Sequence, residues 1–86
     1  MITVTVKYMV NLIDTTGRRR DDVDLPEGSR LSDLAAWLSE KRGLDLPDPK
    51  IMATLNGRGW SQYEEGMETP LSEGDTVLLF PPISGG

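Results

Sequence analysis

Thr76-Val77-Leu78-Leu79-Phe80-Pro81-Pro82-Ile83-Ser84-Gly85-Gly86 is the stretch on which the reading of this chain turns. Its first five residues form an apolar, strand-like run. Proline has no N–H for a sheet ladder and its ring fixes φ, so Pro81-Pro82 ends the strand and stiffens the chain beyond it into an extended segment. The six residues beyond Phe80, fully extended, reach roughly 20 Å, enough to leave a small domain and enter another protein's active site. Gly85 and Gly86 carry no Cβ, so a chain end built from them fits a narrow channel. A terminal α-carboxylate on Gly86 is unhindered, ionised at pH 7, and an acyl donor once activated. A Gly-Gly pair alone is a weak signal, and most chain ends are inert. The ordered series of apolar strand, double proline, short spacer and Gly-Gly is far more specific.

Composition narrows the chemistry. With 86 residues the chain has room for one domain with a modest core. It has no cysteine, hence no disulfide, thiol nucleophile or thiolate metal site, and no histidine, the usual general base and commonest metal ligand. A metal site is therefore not expected. The net charge of −5 argues against nucleic acid and mildly favours a basic protein surface as partner. Residues 1–7 alternate and are too short and polar for a signal peptide, and no apolar run reaches membrane length. The expectation is a soluble, cytoplasmic protein with no membrane partner.

Taken in order, Ile2, Val4, Val6 and Tyr8 alternate with Thr3, Thr5 and Lys7, the pattern of a half-buried strand. Met9 to Thr16 loses the alternation and reads as a loop with a short turn burying Leu12 and Ile13. Arg18-Arg19-Arg20-Asp21-Asp22 has the look of a docking patch, but the acids that come immediately after, and the weak strand Asp22–Leu25, favour a solvated hairpin arm. Pro26-Glu27-Gly28 turns the chain into a helix with one apolar stripe of Leu31, Leu34, Ala35 and Leu38. Ser29 or Ser32 is expected to cap its start, with Lys41 and Arg42 in the last turn and Gly43 as terminator. Trp37 falls at the edge of the stripe and reads as a partly buried flank.

Pro47 and Pro49 mark a connector, and Ile51–Leu55 a third strand closed by the turn signal Asn56-Gly57. Trp60 is expected to pin the irregular stretch after it, or a short fourth strand. Gly57 and Gly59 lack the spacing of a phosphate cradle, and Glu64-Glu65 reads as surface charge. The turn Pro70–Asp75 launches the last strand. The order β, β, α, β, a short irregular or β segment, β predicts a hairpin of the first two strands and a last strand parallel to the first. One main helix covers one face of a small mixed sheet of four to five strands. This is an α+β, β-grasp (ubiquitin-like) arrangement, with residues 1–80 as the domain and 81–86 as a flexible, extended Gly-Gly tail.

Leu25-Pro26-Glu27-Gly28 before the helix, Leu71-Ser72-Glu73-Gly74-Asp75 before the last strand, and the terminal Phe80-Pro81-Pro82-Ile83-Ser84-Gly85-Gly86 together carry a resemblance over nearly the whole chain. It resembles the MoaD/ThiS family of ubiquitin-like sulfur carriers, and within it the molybdopterin synthase small subunits. The resemblance implies that Gly86 is adenylated by a ubiquitin-activating-like enzyme using ATP and magnesium. A sulfur donor system then converts it to a thiocarboxylate, and the tail delivers sulfur to a pterin precursor in the large subunit of molybdopterin synthase. Gly85 would be the slim approach to the reacting residue and Pro81, Pro82, Ile83 and Ser84 the stiff stem. The chain itself would bind no cofactor and would not be an enzyme. Sulfur held as –COS⁻ needs no cysteine in the carrier.

The geometry of the family that this chain resembles also implies a docking surface. If Val77 and Leu79 face the core with Ile2, Val4 and Val6, alternation sends Leu78 and Phe80 to the open face of the sheet, where Met52 and Thr54 join them. The extra length over the compact thiamine-type carriers lies mostly in residues 9–17 and 56–69, and Trp60–Met67 does not map onto the family pattern. Carriers of this type also serve cysteine, thiamine and tungsten-cofactor pathways. A ubiquitin-like modifier conjugated through Gly86, or a β-grasp interaction module with an inert tail, are the readings from other classes.

Overall fold

The alternating residues at the start of the chain build β1 (Ile2–Tyr8) in the computed structural model, which describes residues 1–82. Ile2, Val4, Val6 and Tyr8 are buried, as the period of two requires. Next comes a five-residue helix, α1 (Leu12–Thr16), where a loop with a turn was expected. Leu12 is buried beneath it and Ile13 packs against the core. Gly17, at φ 77°, closes the helix, and its N–H donates to the Ile13 carbonyl.

β2 (Arg20–Leu25) runs antiparallel to β1, with Val4 opposite Val23 and Ile2 opposite Leu25. The strand starts two residues earlier than its sequence suggests, and the arm is not simply solvated. Asp21 is buried, because arginines and a tyrosine from neighbouring elements converge on its carboxylate.

α2 (Leu31–Arg42) lays Leu31, Leu34, Ala35 and Leu38 on the sheet. Its start corrects the expected serine cap. Arg30 holds the N-cap position, and its N–H donates to the Asp33 carboxylate at 2.8 Å, while the Ser29 hydroxyl donates backwards to the Pro26 carbonyl at 2.7 Å. Gly43, at φ 69°, ends the helix as expected. Trp37 is half-buried at the stripe's edge with the Arg42 guanidinium 5.0 Å from its ring centre.

β3 (Met52–Leu55) and β4 (Arg58–Gly59) are joined by Asn56-Gly57, with φ values of 51° and 87°. Both central residues are left-handed, as a tight hairpin turn needs. Trp60 opens a 3₁₀ turn directly after β4 and is buried in the core, so it does pin this region. β5 (Thr76–Phe80) is parallel to β1 and antiparallel to β3, giving the sheet order β2-β1-β5-β3-β4. Five strands with one main helix on one face make a two-layer β-grasp fold. Its last strand lies at the centre of the sheet.

Candidate functional site

Because β5 is central, the chain beyond Phe80 leaves from the best-supported point of the sheet. Val77 and Leu79 are completely buried, so Leu78 and Phe80 take the opposite face. The register sets Met52 opposite Phe80 and Thr54 opposite Leu78 on β3, while Lys7 of β1 flanks Leu78 on the other side. Phe80 and Leu78 are half-buried and Met52 is 45% exposed. Pro81 is half-buried and Pro82 exposed. Ile83, Ser84, Gly85 and Gly86 lie outside the described residues.

The open face is divided by chemistry. Across β2 and β1 it is polar and internally bonded. Thr3 Oγ1 donates to Asp24 at 2.7 Å, Thr5 Oγ1 to Asp22 at 3.1 Å, and Arg20 pairs with Asp22 at 2.8 Å. Across β5 and β3 it presents Leu78, Phe80, Met52 and the half-buried Thr54.

The structure adds two residues that the sequence reading passed over. Met9 and Val10 are exposed, at 43% and 70%. The Met9 N–H donates to the Leu79 carbonyl at 3.0 Å, which extends the β1–β5 contact to the very end of β5. Of the four large apolar side chains exposed among the described residues, Met9, Val10 and Met52 therefore surround the end of β5, and only Met1 lies elsewhere in the chain. Val10 also stands at φ 56°, a left-handed conformation that a β-branched side chain adopts at a cost of roughly 1–3 kcal/mol. Neither residue belongs to a periodic pattern, which is why only the structure reveals them.

A polar cluster underpins this end of the sheet. The buried Asp21 carboxylate accepts hydrogen bonds from Arg42 Nε at 2.7 Å, Arg42 Nη2 at 2.8 Å, Arg18 Nη1 at 2.9 Å and the Tyr8 hydroxyl at 2.6 Å. The Arg42 hydrogen bonds hold its pKa down at about 2, against the opposing effect of burial. Burial foremost, then the Asp21 carboxylate, pushes the Tyr8 phenol well above its ordinary value. The cluster ties β1, β2 and the last turn of α2 together behind the root of the C-terminal segment. It is a clamp and not an acid–base pair, since every Asp21 contact favours one fixed, ionised state.

Among the described residues, no group of three or more His, Cys, Asp or Glu side chains is placed to hold a metal ion, and no helix is long and apolar enough to cross a membrane. The geometry is that of a small scaffold whose central strand, β5, ends beside an apolar surface. Comparison with known proteins agrees. A model of the ThiS family matches residues 6–86, and the chain belongs to that family. It is 35% identical over 85 residues to the molybdopterin synthase sulfur carrier subunit of Escherichia coli K12, covering 96% of this chain and 99% of that one. Among solved structures it is similar to a chain in the protein–protein complex of subunits 1 and 2 of the molybdopterin-converting factor of Helicobacter pylori. That match has 26% identity and a TM-score of 0.68, and covers 99% of this chain and 100% of the other. It is also similar to small archaeal modifier protein 1 of Methanosarcina acetivorans, with 26% identity, a TM-score of 0.76 and coverage of 100% and 98%. The chain is a sulfur carrier of the MoaD/ThiS type with a ubiquitin-like β-grasp fold.

Proposed function

We propose that this chain is the sulfur-carrying small subunit of a molybdopterin synthase, with Gly86 as the residue that bears the sulfur. The observation that carries this is the path of β5. A strand bonded on both edges ends at Phe80 and leads directly into Pro81-Pro82-Ile83-Ser84-Gly85-Gly86, in a chain 35% identical to a molybdopterin synthase sulfur carrier subunit. In the reaction, a carboxylate oxygen of Gly86 attacks the α-phosphorus of ATP on an adenylating enzyme that uses magnesium, and pyrophosphate leaves. Sulfur from a donor system displaces AMP from the acyl-adenylate and leaves –COS⁻. Inside the large subunit the sulfur passes to a pterin precursor, and water restores the carboxylate. Pro81 to Ser84 act as the stem and Gly85 as the slim approach, while Phe80, Leu78 and Met52 dock against the partner. Catalysis rests with the partners, and the chain binds no cofactor of its own.

The test is mass spectrometry of the intact protein after incubation with ATP, magnesium, its cell's adenylating enzyme and a sulfide source. A gain equal to one oxygen exchanged for sulfur, mapped to Gly86, supports the reading. No gain, with the enzyme active on its own known carrier, sinks it. The likeness to a small archaeal modifier protein favours a second reading, in which Gly86 forms isopeptide bonds with lysines. That reading requires ladders of conjugates in extracts of cells expressing the tagged chain.

A further inference from the structure

Beside the end of β5, on the side away from Met52, lies a hollow of about 310 Å³ lined by Lys7, Tyr8, Met9, Val10, Ile13, Arg19 and Arg20. At this volume it sits at the lower limit of ligand-sized cavities, suited to an anchoring side chain more than to a cofactor. Its apolar residues are Met9, Val10 and Ile13, and its cationic ones Lys7, Arg19 and Arg20. Arg20 is paired with Asp22, and Arg18 nearby with Asp21. Among the described residues, Lys7 and Arg19 take part in no ion pair, and both are exposed. In a chain of net charge −5, this end of the hairpin is thus locally basic with two unneutralised cations. Met9 is bonded to Leu79, so the hollow begins one residue from Phe80, where the C-terminal segment starts.

We propose that this hollow docks an acidic segment of the large subunit, an apolar side chain flanked by Asp or Glu, as a contact that continues the Phe80–Met52 surface across β1. The inference rests on the carrier reading, since a partner that takes the C-terminal segment must pass within reach of the hollow. The apolar side chain would sit against Met9, Val10 and Ile13, and the carboxylates would meet Lys7 and Arg19. The strained, exposed Val10 fits a surface kept for contact, because nothing in the domain's own packing needs a side chain there. Charge complementarity of this kind sets association rate and salt dependence more than buried area does.

The test is calorimetric titration of the large subunit of molybdopterin synthase from the same organism, at low and high salt, with wild type, a Lys7→Glu/Arg19→Glu double variant, and Val10→Gly. Wild type should bind more weakly as salt rises. The double variant should lose roughly tenfold in affinity at low salt and most of the salt dependence. Val10→Gly relieves the left-handed strain, so its affinity should fall while its thermal stability holds or rises, which separates docking from misfolding. Unchanged affinity in both variants overturns the proposal and leaves the carrier reading intact. A wild-type chain that gains sulfur but binds no large subunit overturns both the proposal and the molybdopterin assignment. Binding of a single-stranded oligonucleotide as tightly as the large subunit, lost in the same double variant, would overturn it in favour of a nucleic-acid surface.

Discussion

The Arg42 guanidinium grips the Asp21 carboxylate through two parallel hydrogen bonds of 2.7 and 2.8 Å, joining the last turn of α2 to the first residues of β2. With Arg18 and the Tyr8 hydroxyl on the same carboxylate, a residue from an apparently solvated charge run becomes a fixed part of the fold. Bidentate, partly desolvated pairs of this kind are worth more than surface ion pairs, and removing one partner is costly.

Acid should therefore weaken the domain in a defined window. The folded pKa of Asp21 is about 2, below its ordinary value of 3.8, so its stabilisation is complete above the ordinary value and lost as pH falls through the folded one. The difference corresponds to about 2 kcal/mol. Urea unfolding measured between about pH 5 and pH 2 should show this loss in wild type and a much flatter profile in Asp21→Asn. Parallel profiles would show that Asp21 does not carry the effect.

At neutral pH, Trp60→Ala should cost about 3–5 kcal/mol in chemical denaturation, as deletion of a large buried aromatic does. Trp60 joins the core from a 3₁₀ turn directly after the two-residue β4, so no regular ladder continues the segment once the indole is gone. A cost under about 1 kcal/mol would mean that the Trp60–Gln62 turn is held by its backbone alone.

Two glycines just ahead of Trp60 should behave oppositely. A methyl group at Gly57 meets nothing within 4 Å, but the residue is at φ 87°, so Gly57→Ala should cost about 1–2 kcal/mol through the backbone alone. Gly59 has φ −58°, and an added methyl finds ordinary contact with Gln62 at 3.7 Å, so Gly59→Ala should be close to neutral. Equal melting temperatures for the two variants would refute the left-handed turn.

Met52→Asp should separate binding from folding. Met52 is exposed on the sheet face, so unfolding free energy should change by no more than about 0.5 kcal/mol. Affinity for the large subunit should fall at least tenfold if Met52 and Phe80 form a docking surface, since a charge would be buried against the partner. Undiminished affinity, measured by calorimetry, would remove Met52 from the interface.

Much of this architecture can be read from residue patterns. Alternation in Ile2–Tyr8 assigned the buried face of β1, the stripe Leu31-Leu34-Ala35-Leu38 assigned the buried face of α2, and Asn56-Gly57 marked the hairpin. What stayed hidden depends on contacts between distant segments. Asp21 reads as solvated until folding brings Arg42, twenty-one positions later, over it. The helix cap depends on the angle at which the chain enters α2, which placed Arg30 and Asp33, not a serine, at the decisive positions. Leu78, Phe80 and Met52 were legible because strands alternate, whereas Met9 and Val10 sit just past the end of β1, where alternation ceases.

The central position of β5 also has a mechanical consequence. A pull on the chain beyond Pro82 acts along the strand axis, and β1 and β3 hold that strand from both sides. The load is then shared in shear by two ladders at once, where an edge strand pulled crosswise would unzip bond by bond. A load transmitted through the C-terminal segment therefore meets its greatest resistance at the centre of the sheet.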